Sequence, residues 1–242
     1  MASLLKRLVK EQQFHPGVLG IFTNPFYFAR KGLLDGISKN AQSITGRTLD
    51  VGCGQKPYER LMASSEYIGL EIDSPENRVK KNADAFYDGK RFPFADGEFD
   101  SALANQVFEH VFNPDEFLGE VNRVLKPGGM FLMTVPFVWD EHEQPFDFAR
   151  YSSFGLRSLL QAHGFEVVDH IKSVNDFRVI FQLINDYLYK KTVTGNIILN
   201  QIFALVLMAP VTIVGLIISS ILPKNDDLYL DNIILAKKIA NA

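Results

Sequence analysis

The sequence has almost no cysteine and no strong excess of charge. Cys53 is the only cysteine among 242 residues, which excludes an internal disulfide and is typical of a reducing compartment. The formal net charge of -3 gives no indication of a nucleic-acid partner. A hydrophobic content of 47% is enough for the core of one domain, or of one domain with an insertion.

We expect neither a secretion leader nor a metal site from the sequence. The apolar pair Leu4-Leu5 is interrupted at Lys6-Arg7 before a leader core can form. None of the five histidines has the spacing of metal ligands. We therefore expect a cytoplasmic protein without a metal.

What the sequence does have is a glycine loop that follows a buried strand. Residues 48–55 predict a short strand that ends in Asp50 and Val51, followed by a turn with two glycines. Gly52 and Gly54 have no Cβ, so a ligand can lie against the main chain. Such a loop opens the first unit of an open α/β sheet, whose ligands bind at the carboxyl edge of the strands.

The residues of this loop distinguish two classes of cofactor. A dinucleotide would require G-x-G-x-x-G, and the third glycine is missing because Pro57 stands in its place. Asp50 would repel a pyrophosphate but attract an ammonium group. S-adenosylmethionine has no phosphate and carries an amino-acid head, so the loop favours this cofactor over NAD.

Further polar residues are predicted at the ends of later strands. Glu71 lies 19 residues after Gly52, at the spacing that places a carboxylate on ribose hydroxyls, and Asp73 competes for that role. We expect Asp84 at the end of the next strand, where it would accept a hydrogen bond from an adenine amino group. The predicted cofactor-binding residues are Asp50, Gly52, Cys53, Gly54, Glu71, Asp84, Ala85 and Asn105.

A series of motifs between residues 45 and 170 resembles class I S-adenosylmethionine-dependent methyltransferases. The motifs are residues 49–54, 69–71, 84–85, 94–100, 108–111 and 123–129. This resemblance implies methyl transfer and a doubly wound, mostly parallel seven-stranded α/β sheet of the Rossmann-like kind. Lys56 departs from the family pattern, and we expect it to alter the shape of the loop without abolishing binding.

Residues 142–151, followed by Phe154-Gly155-Leu156, are similar to a branch of these enzymes associated with surface polysaccharide or glycolipid synthesis. The resemblance implies a glycan or a lipid-linked saccharide as acceptor. His142 is the candidate base because an imidazole titrates near physiological pH. Asp147 and Arg150 are candidates for orienting the substrate. The alternative is a loop in which Asp147 pairs with Arg150 and His142 is only solvated.

The insertion before the last strand has no charge at all between residues 192 and 223. Pro210 divides it into two segments, 197–208 and 211–222, each about 18 Å long as a helix and too short to span a bilayer. Because the strands on either side belong to one sheet, the chain cannot cross a membrane an odd number of times. We predict an apolar hairpin that dips into one leaflet, with membrane contact through residues 196–222; the alternative is a pair of helices in a subunit interface.

The predicted organisation has four parts. They are an N-terminal helical cap (1–45), the S-adenosylmethionine-binding core (46–172), a helical insertion with the apolar hairpin (173–227) and the final core strand (228–242). We expect a peripheral or monotopic methyltransferase on the cytoplasmic face of the membrane, acting on a small-molecule or lipid-linked acceptor, and a homo-oligomer is compatible with the sequence. Two alternatives remain open, a methyltransferase for an isoprenoid quinone and a cofactor-binding scaffold without activity.

Overall fold

The computed structural model describes residues 2–80 and 82–239, which divide into two compact units. The core unit consists of residues 36–137, 141–171 and 232–239, and it contains the sheet. The helical unit consists of residues 2–35, 138–140 and 172–231. The N-terminal helices and the helical insertion, which the sequence analysis assigned to two different parts, therefore fall in the same unit.

Seven strands form the sheet of the core unit, in the order β3-β2-β1-β4-β5-β7-β6. The strands are β1 (Thr45–Val51), β2 (Ala63–Ile72), β3 (Ala85–Tyr87), β4 (Phe99–Asn105), β5 (Leu125–Pro136), β6 (Phe165–Lys172) and β7 (Asp231–Lys238). β1 pairs in parallel with both β2 and β4, and β3 and β5 extend the parallel sheet on either side. The strand order reverses between β1 and β4, which is the position where ligands bind in such sheets. The predicted doubly wound, mostly parallel sheet is confirmed.

The central strands are apolar because they are covered on both faces, as parallel strands must be. Leu49 and Val51 in β1, and Phe131 and Met133 in β5, have no exposed surface. They belong to one core cluster together with the apolar side of α5 (Pro114–Val124). The remaining helices described here for this unit are α4 (Pro75–Lys80) and α6 (Ser153–Ala162).

The helical unit contains α1 (Ala2–Phe14), α2 (Gly20–Thr23), α3 (Tyr27–Asn40, which continues into the core unit), α7 (Arg178–Thr192), α8 (Ile197–Phe203) and α9 (Ala209–Ser219). It has its own apolar cluster, built around Phe28, Val179 and Leu230. Phe26 packs edge-on against Tyr189, with ring centroids 4.9 Å apart.

The predicted apolar hairpin is wrong, because α8 and α9 form one continuous helix over Ile197–Ser219. Between them, residues Ala204–Met208 adopt a π-helical turn. Pro210 has no backbone N–H to donate, and π turns of this kind accommodate a disturbed ladder within a helix. Pro210 is the second residue of α9, and it therefore does not end the helix. We name Ile197–Ser219 the apolar helix.

A buried glutamine of α7 stabilises the beginning of α3. The side-chain oxygen of Gln182 accepts hydrogen bonds from the backbone N–H groups of Phe28 (3.1 Å) and Ala29 (3.3 Å). Its amide nitrogen donates to the carbonyl of Pro25 (3.1 Å). The first N–H groups of a helix have no partner within the helix, so Gln182 supplies one from another element.

Replacing Gln182 with leucine should lower the free energy of unfolding by about 2–4 kcal/mol, because buried donors at the start of α3 lose their acceptor. Gln182 has no exposed surface, whereas Gln161 on α6 is exposed. Gln161→Leu is the matched control and should change stability by less than about 0.5 kcal/mol. Urea unfolding at equilibrium checks both values, and equal losses in the two variants would contradict the assigned role.

Candidate active site

The loop after β1 folds tightly against the end of β2. Gly52 donates its backbone N–H to the carbonyl of Leu70 (2.8 Å) and has φ +67°, in the left-handed region. A Cβ at this position would lie 2.4 Å from Cγ2 of Val107, in the loop after β4. Both the backbone angle and the close approach of a neighbouring loop therefore require glycine here.

Asp50 is a buried carboxyl group within β1, two residues before Gly52. Its side chain accepts a hydrogen bond from the hydroxyl of Tyr67 (2.9 Å), and 3% of the residue is exposed. Burial raises the pKa of Asp50 to about 7, and the nearby Glu71 carboxylate adds to the increase, whereas the Tyr67 hydrogen bond opposes it. A cation bound near this carboxyl group would favour its ionised form.

The predicted ribose ligand Glu71 lies in β2 beside the glycine loop. Its carboxylate accepts a hydrogen bond from the backbone N–H of Gly54 (2.8 Å), and 6% of the residue is exposed. The loop and the acid are thus held together at the carboxyl edge of β1 and β2. Asp73 follows β2 and pairs with Arg78 on α4, with 2.6 Å between Oδ1 and Nε.

The predicted position of Asp84 is wrong, because this residue precedes β3. Its carboxylate accepts hydrogen bonds from the backbone N–H of Gly69 (2.7 Å) and from the ammonium group of Lys56. Burial alone would raise the pKa of Asp84, but these two donors hold it below its ordinary value. Ala85 is the first residue of β3, paired with Leu70 of β2.

Asp88 follows β3 at the carboxyl edge and was missed in the sequence. One of its carboxylate oxygens accepts from the backbone N–H of Lys90 (3.0 Å). The turn signal Asp88-Gly89 directly after the β-forming pair Phe86-Tyr87 could have located the end of the strand.

Lys56, the departure from the family pattern, has φ +51° and uses its side chain to join the loop to Asp84.

Cys53 lies in the glycine loop, where its thiol is buried and its surroundings make the thiol unreactive. Burial raises the pKa of Cys53 to about 12, with the negative charges of Asp50 and Glu71 contributing in the same direction. A thiol is reactive as the thiolate, so this environment does not support nucleophilic chemistry. The Cys53 side chain therefore contributes to the packing of the loop.

Alkylation of Cys53 by iodoacetamide at pH 8 should be at least about 100-fold slower in the folded protein than in the chain unfolded in urea, because only about one thiol in 10⁴ is ionised. Mass spectrometry of timed samples measures both rates. Since the chain has no other cysteine, the unfolded chain is the internal control. Equal rates would contradict the burial of the thiol.

Asn105 ends β4 and is fixed by the neighbouring strand. Its side-chain oxygen accepts a hydrogen bond from the hydroxyl of Thr134 in β5 (2.9 Å). The backbone carbonyl of Thr134 also accepts a hydrogen bond from the backbone N–H of Gln106 (3.1 Å). Asn105 thus lies at the carboxyl edge as predicted, beside the loop that follows β4.

The three predicted catalytic residues are brought together by the loop after β5. The Asp147 carboxylate lies 3.2 Å from Nδ1 of His142 and accepts from the backbone N–H of His142 (3.0 Å). Arg150 donates to both oxygens of the same carboxylate. Burial would raise the pKa of Asp147, but the Arg150 guanidinium and the His142 N–H lower it to about 2. Asp147 is therefore an acceptor that fixes the imidazole.

His142 also faces the loop after β4, which the sequence did not predict. Its Nε2 lies 4.0 Å from Oε1 of Glu109, a residue with no exposed surface. Nε2 of His110 lies 3.9 Å from the same oxygen, and the two imidazole rings pack edge-on with centroids 4.9 Å apart. His142 is thus held by protein groups on two sides. Of the alternative interpretation, the pair between Asp147 and Arg150 is present, whereas His142 is not merely solvated.

Comparison with known proteins shows what the core unit is similar to. Residues 49–133 match the model of the family described as a methyltransferase domain. A protein of Mycolicibacterium smegmatis, named a probable S-adenosylmethionine-dependent methyltransferase, is 29% identical over 164 residues, covering 62% of this chain and 63% of that protein. An uncharacterized methyltransferase of Mycobacterium sp. (strain JLS) is 37% identical over 102 residues, covering 39% of this chain and 40% of its own. The chain thus spans less than two thirds of these curated relatives.

Solved structures with the same fold include two methyltransferases and a cyclase. The [4+2]-cyclase SpnF has a TM-score of 0.56 at 21% identity, covering 88% of this chain and 83% of its own. An S-adenosylmethionine-dependent methyltransferase from Mesorhizobium loti has a TM-score of 0.53 at 13% identity, covering 86% and 98%. Phosphoethanolamine N-methyltransferase 2 of Haemonchus contortus, in complex with S-adenosylmethionine, has a TM-score of 0.54 at 16% identity, covering 95% and 59%. At such identities the likeness concerns the fold, which does not by itself assign a reaction.

The family match and the related sequences thus show a similarity of the core unit to S-adenosylmethionine-dependent methyltransferases. The region matched by the family model runs from Leu49 in β1 to Met133 in β5, so it includes the glycine loop. The acceptor and the place of action lie beyond these comparisons.

Proposed function

We propose that the protein transfers the methyl group of S-adenosylmethionine to an oxygen atom of a glycan or a lipid-linked saccharide. The observation that carries this proposal is the buried carboxyl group of Asp50 beside a glycine loop with no third glycine. The residues fit the cofactor, since an ammonium group would find Asp50 and Glu71, whereas a pyrophosphate would meet two acids. The cofactor supplies a methyl group on a positively charged sulfur.

The side chains of the core unit have separate roles in this proposal. The glycine loop, Glu71 and Asn105 hold the cofactor at the carboxyl edge, and Asp88 replaces Asp84 as the acid placed to accept from its adenine. Holding two reactants in line is worth several kcal/mol of the barrier. His142, oriented by Asp147 and Arg150, receives or directs the proton of the acceptor hydroxyl, which contributes typically about 10²–10⁴-fold.

Aromatic side chains are exposed on the loops at the same edge, and they favour an acceptor that has an apolar part. Phe112 follows β4, and Phe146 and Phe148 lie in the loop with His142; their exposed fractions are 75%, 62% and 44%. The rings of Phe112 and Phe148 pack edge-on with centroids 5.3 Å apart. A lipid tail fits this surface, and an isoprenoid quinone is the second candidate because it has the same apolar character.

The acceptor is identified by comparing lipids and glycans from cells with and without the gene. A product heavier by one methylene should disappear on deletion and return with the wild-type chain, but not with Asp147→Asn. Radiolabelled S-adenosylmethionine then tests transfer to the isolated acceptor. A methylated quinone as the missing product would select the second candidate, and an unchanged lipid, glycan and quinone profile would contradict both.

We also propose that the apolar helix lies in the plane of a membrane surface. One side of it is buried within the helical unit at Ala204, Met208, Thr212 and Gly215. The exposed large apolar side chains are Ile198, Leu199, Ile202, Leu205, Val206, Leu207, Ile213, Val214 and Ile217. The helix is about 35 Å long, enough to span a bilayer.

An in-plane position is favoured over a span by the segment that follows the helix. Asn225 donates its backbone N–H to the carbonyl of Asn175, and Lys172 donates to the carbonyl of Asp226. The chain therefore returns to the end of β6, where it left the sheet, and an irregular return through lipid would leave backbone groups without partners. Lys190, Lys191 and Lys224 flank the helix with positive charge, which suits an anionic surface.

Flotation with vesicles of phosphatidylcholine and phosphatidylglycerol tests this contact. The wild-type protein should float, and the double variant Val206→Asp/Ile217→Asp should remain at the bottom of the gradient. Val79→Asp, which changes an exposed valine on α4, is the matched control and should float like the wild type. A wild-type chain that stays in the soluble fraction, or a double variant that still floats, would contradict the membrane proposal.

A further inference from the structure

Three potential metal ligands converge between the loops after β4 and β5. They are Oε1 or Oε2 of Glu109 and the ring nitrogens of His110 and His142, with ligand atoms within 4.8 Å of one another. Glu109 and His110 lie in the turn Phe108–His110, directly after β4. The backbone N–H groups of Phe148 and Ala149 both donate to the carbonyl of Glu109, so the two loops are tied together at this point.

The protonation of the two rings can be deduced from their other neighbours. Nδ1 of His110 lies 2.8 Å from the carbonyl oxygen of Phe146, and a carbonyl can only accept, so Nδ1 carries the hydrogen. Nδ1 of His142 lies between the ionised carboxylate of Asp147 (3.2 Å), which can only accept, and Nη2 of Arg150 (3.4 Å), which can only donate; the shorter contact, to Asp147, places the hydrogen on Nδ1. In the neutral form, which is the form that binds a metal ion, each ring therefore has its lone pair on Nε2, the atom directed at Glu109.

This arrangement is the one that supports imidazole ligands in metal proteins. A ligating histidine almost always donates its second ring N–H to a carboxylate or a backbone carbonyl, which fixes its tautomer and its orientation. His142 has the first kind of partner and His110 the second. Together with one carboxylate they form a donor set of two imidazoles and one oxygen, which is typical of catalytic zinc sites with an open position.

We propose that Glu109, His110 and His142 bind a divalent transition-metal ion of the Zn²⁺ type. Ligand atoms about 2.0–2.2 Å from one ion lie roughly 3.0–3.6 Å apart. The distances of 3.9 and 4.0 Å to the Glu109 oxygen therefore shorten by less than about 1 Å on binding, which small rotations of the partly exposed rings allow. Glu143, whose carboxylate is 3.9 Å from Nε2 of His110 and largely exposed, is placed to approach the open position.

The catalytic consequence rests on the proposed function, whereas the metal site itself does not. An acceptor hydroxyl bound at the open position would have a lowered pKa and would lose its proton to solvent. The alkoxide oxygen then forms a bond with the methyl carbon while the carbon–sulfur bond breaks, and S-adenosylhomocysteine leaves with the electron pair. With the ion bound, His142 is a ligand and the proton goes to solvent; without the ion, His142 takes the proton as in the proposed function, and Asp147 is its positioning residue in both cases.

Calorimetric titration of chelator-treated protein with ZnCl₂ tests the site directly. The wild-type chain should bind one Zn²⁺, and His110→Asn and Glu109→Gln should weaken binding by at least about 100-fold. Asp147→Asn should weaken it by roughly 10–100-fold through the orientation of His142. The matched control is His163→Asn, because His163 also has a carboxylate beside Nε2 (Asp115, 3.3 Å) and a carbonyl beside Nδ1, yet has no second imidazole.

A spectroscopic measurement on the wild-type chain tests the site even if the variants fail to fold. Co²⁺ bound to this donor set should give visible absorption bands that vanish on addition of one equivalent of Zn²⁺. Absence of the bands together with absence of Zn²⁺ binding would overturn the proposal, as would equal Zn²⁺ affinity in the wild type and in folded His110→Asn. Binding of S-adenosylmethionine is measured in the same metal-free samples: binding and transfer without metal would leave the proposed function intact and remove the ion from catalysis.

Discussion

Gly52→Ala should abolish measurable binding of S-adenosylmethionine and lower the free energy of unfolding by about 2–5 kcal/mol. A non-glycine residue with positive φ costs roughly 1–2 kcal/mol. The new Cβ would in addition lie 2.4 Å from Val107, and overpacking of this kind costs about 1–3 kcal/mol. Relief of the contact requires movement of the glycine loop or of the loop after β4, and both line the carboxyl edge.

Gly97→Ala separates the two contributions. Gly97 has φ +63°, close to the value at Gly52, but the new Cβ of alanine would meet no atom within 4 Å. This variant should lose only about 1–2 kcal/mol and keep its affinity for the cofactor. Titration calorimetry and urea unfolding of the two variants give the comparison. Cofactor affinity in Gly52→Ala equal to that of the wild type would show that the loop is not the binding site.

Asp50→Asn should stabilise the folded chain at pH 8 by on the order of 2–4 kcal/mol, because the pKa of Asp50 is raised from 3.8 to about 7 and a difference of one in pKa corresponds to about 1.4 kcal/mol. A carboxyl group with a raised pKa binds its proton more tightly in the folded than in the unfolded chain. Its contribution to stability is therefore highest at acid pH, falls as the pH rises from about 4 to about 7, and stays low above that. The gain of the variant should follow the opposite course and disappear near pH 4.

The same substitution should weaken binding of S-adenosylmethionine by at least about 100-fold, because asparagine has no negative charge for the ammonium group; a stabilised site often loses function in this way. An ammonium group near Asp50 favours the carboxylate, so the wild-type affinity should rise with pH up to about 7 and then level off. The variant has no carboxyl group to ionise and should lose this dependence. Calorimetric titrations between pH 5.5 and 8.5 check the prediction, and parallel pH profiles for the two proteins would contradict it.

The sequence predicted the glycine loop and the neighbouring Glu71 because both depend on short-range rules. A buried strand, an acid and a glycine turn are encoded within a few consecutive residues around Asp50, and the sheet order then follows from alternation of strands and helices. The grouping of His142, Asp147 and Arg150, the proposed catalytic residues, was predicted for the same reason, as they lie within one loop. Their contacts with one another form inside that loop.

Errors arose where the outcome depends on a distant partner. β3 has only three residues, and its register against β2 places Asp84 before the strand instead of after it. Pro210 was expected to break a helix, but a π turn keeps the apolar helix continuous while one side packs within the helical unit. The sequence favoured a packing or capping role for His110, after Glu109, because both residues meet His142 only when the loops after β4 and β5 come together.

Titration of the purified chain with S-adenosylmethionine, and separately with NAD, tests the central claim most directly. We predict saturable one-to-one binding of S-adenosylmethionine that depends on Gly52 and Asp50, and no binding of NAD. A folded chain that binds NAD in preference, or that does not bind S-adenosylmethionine at millimolar concentration, would contradict the account.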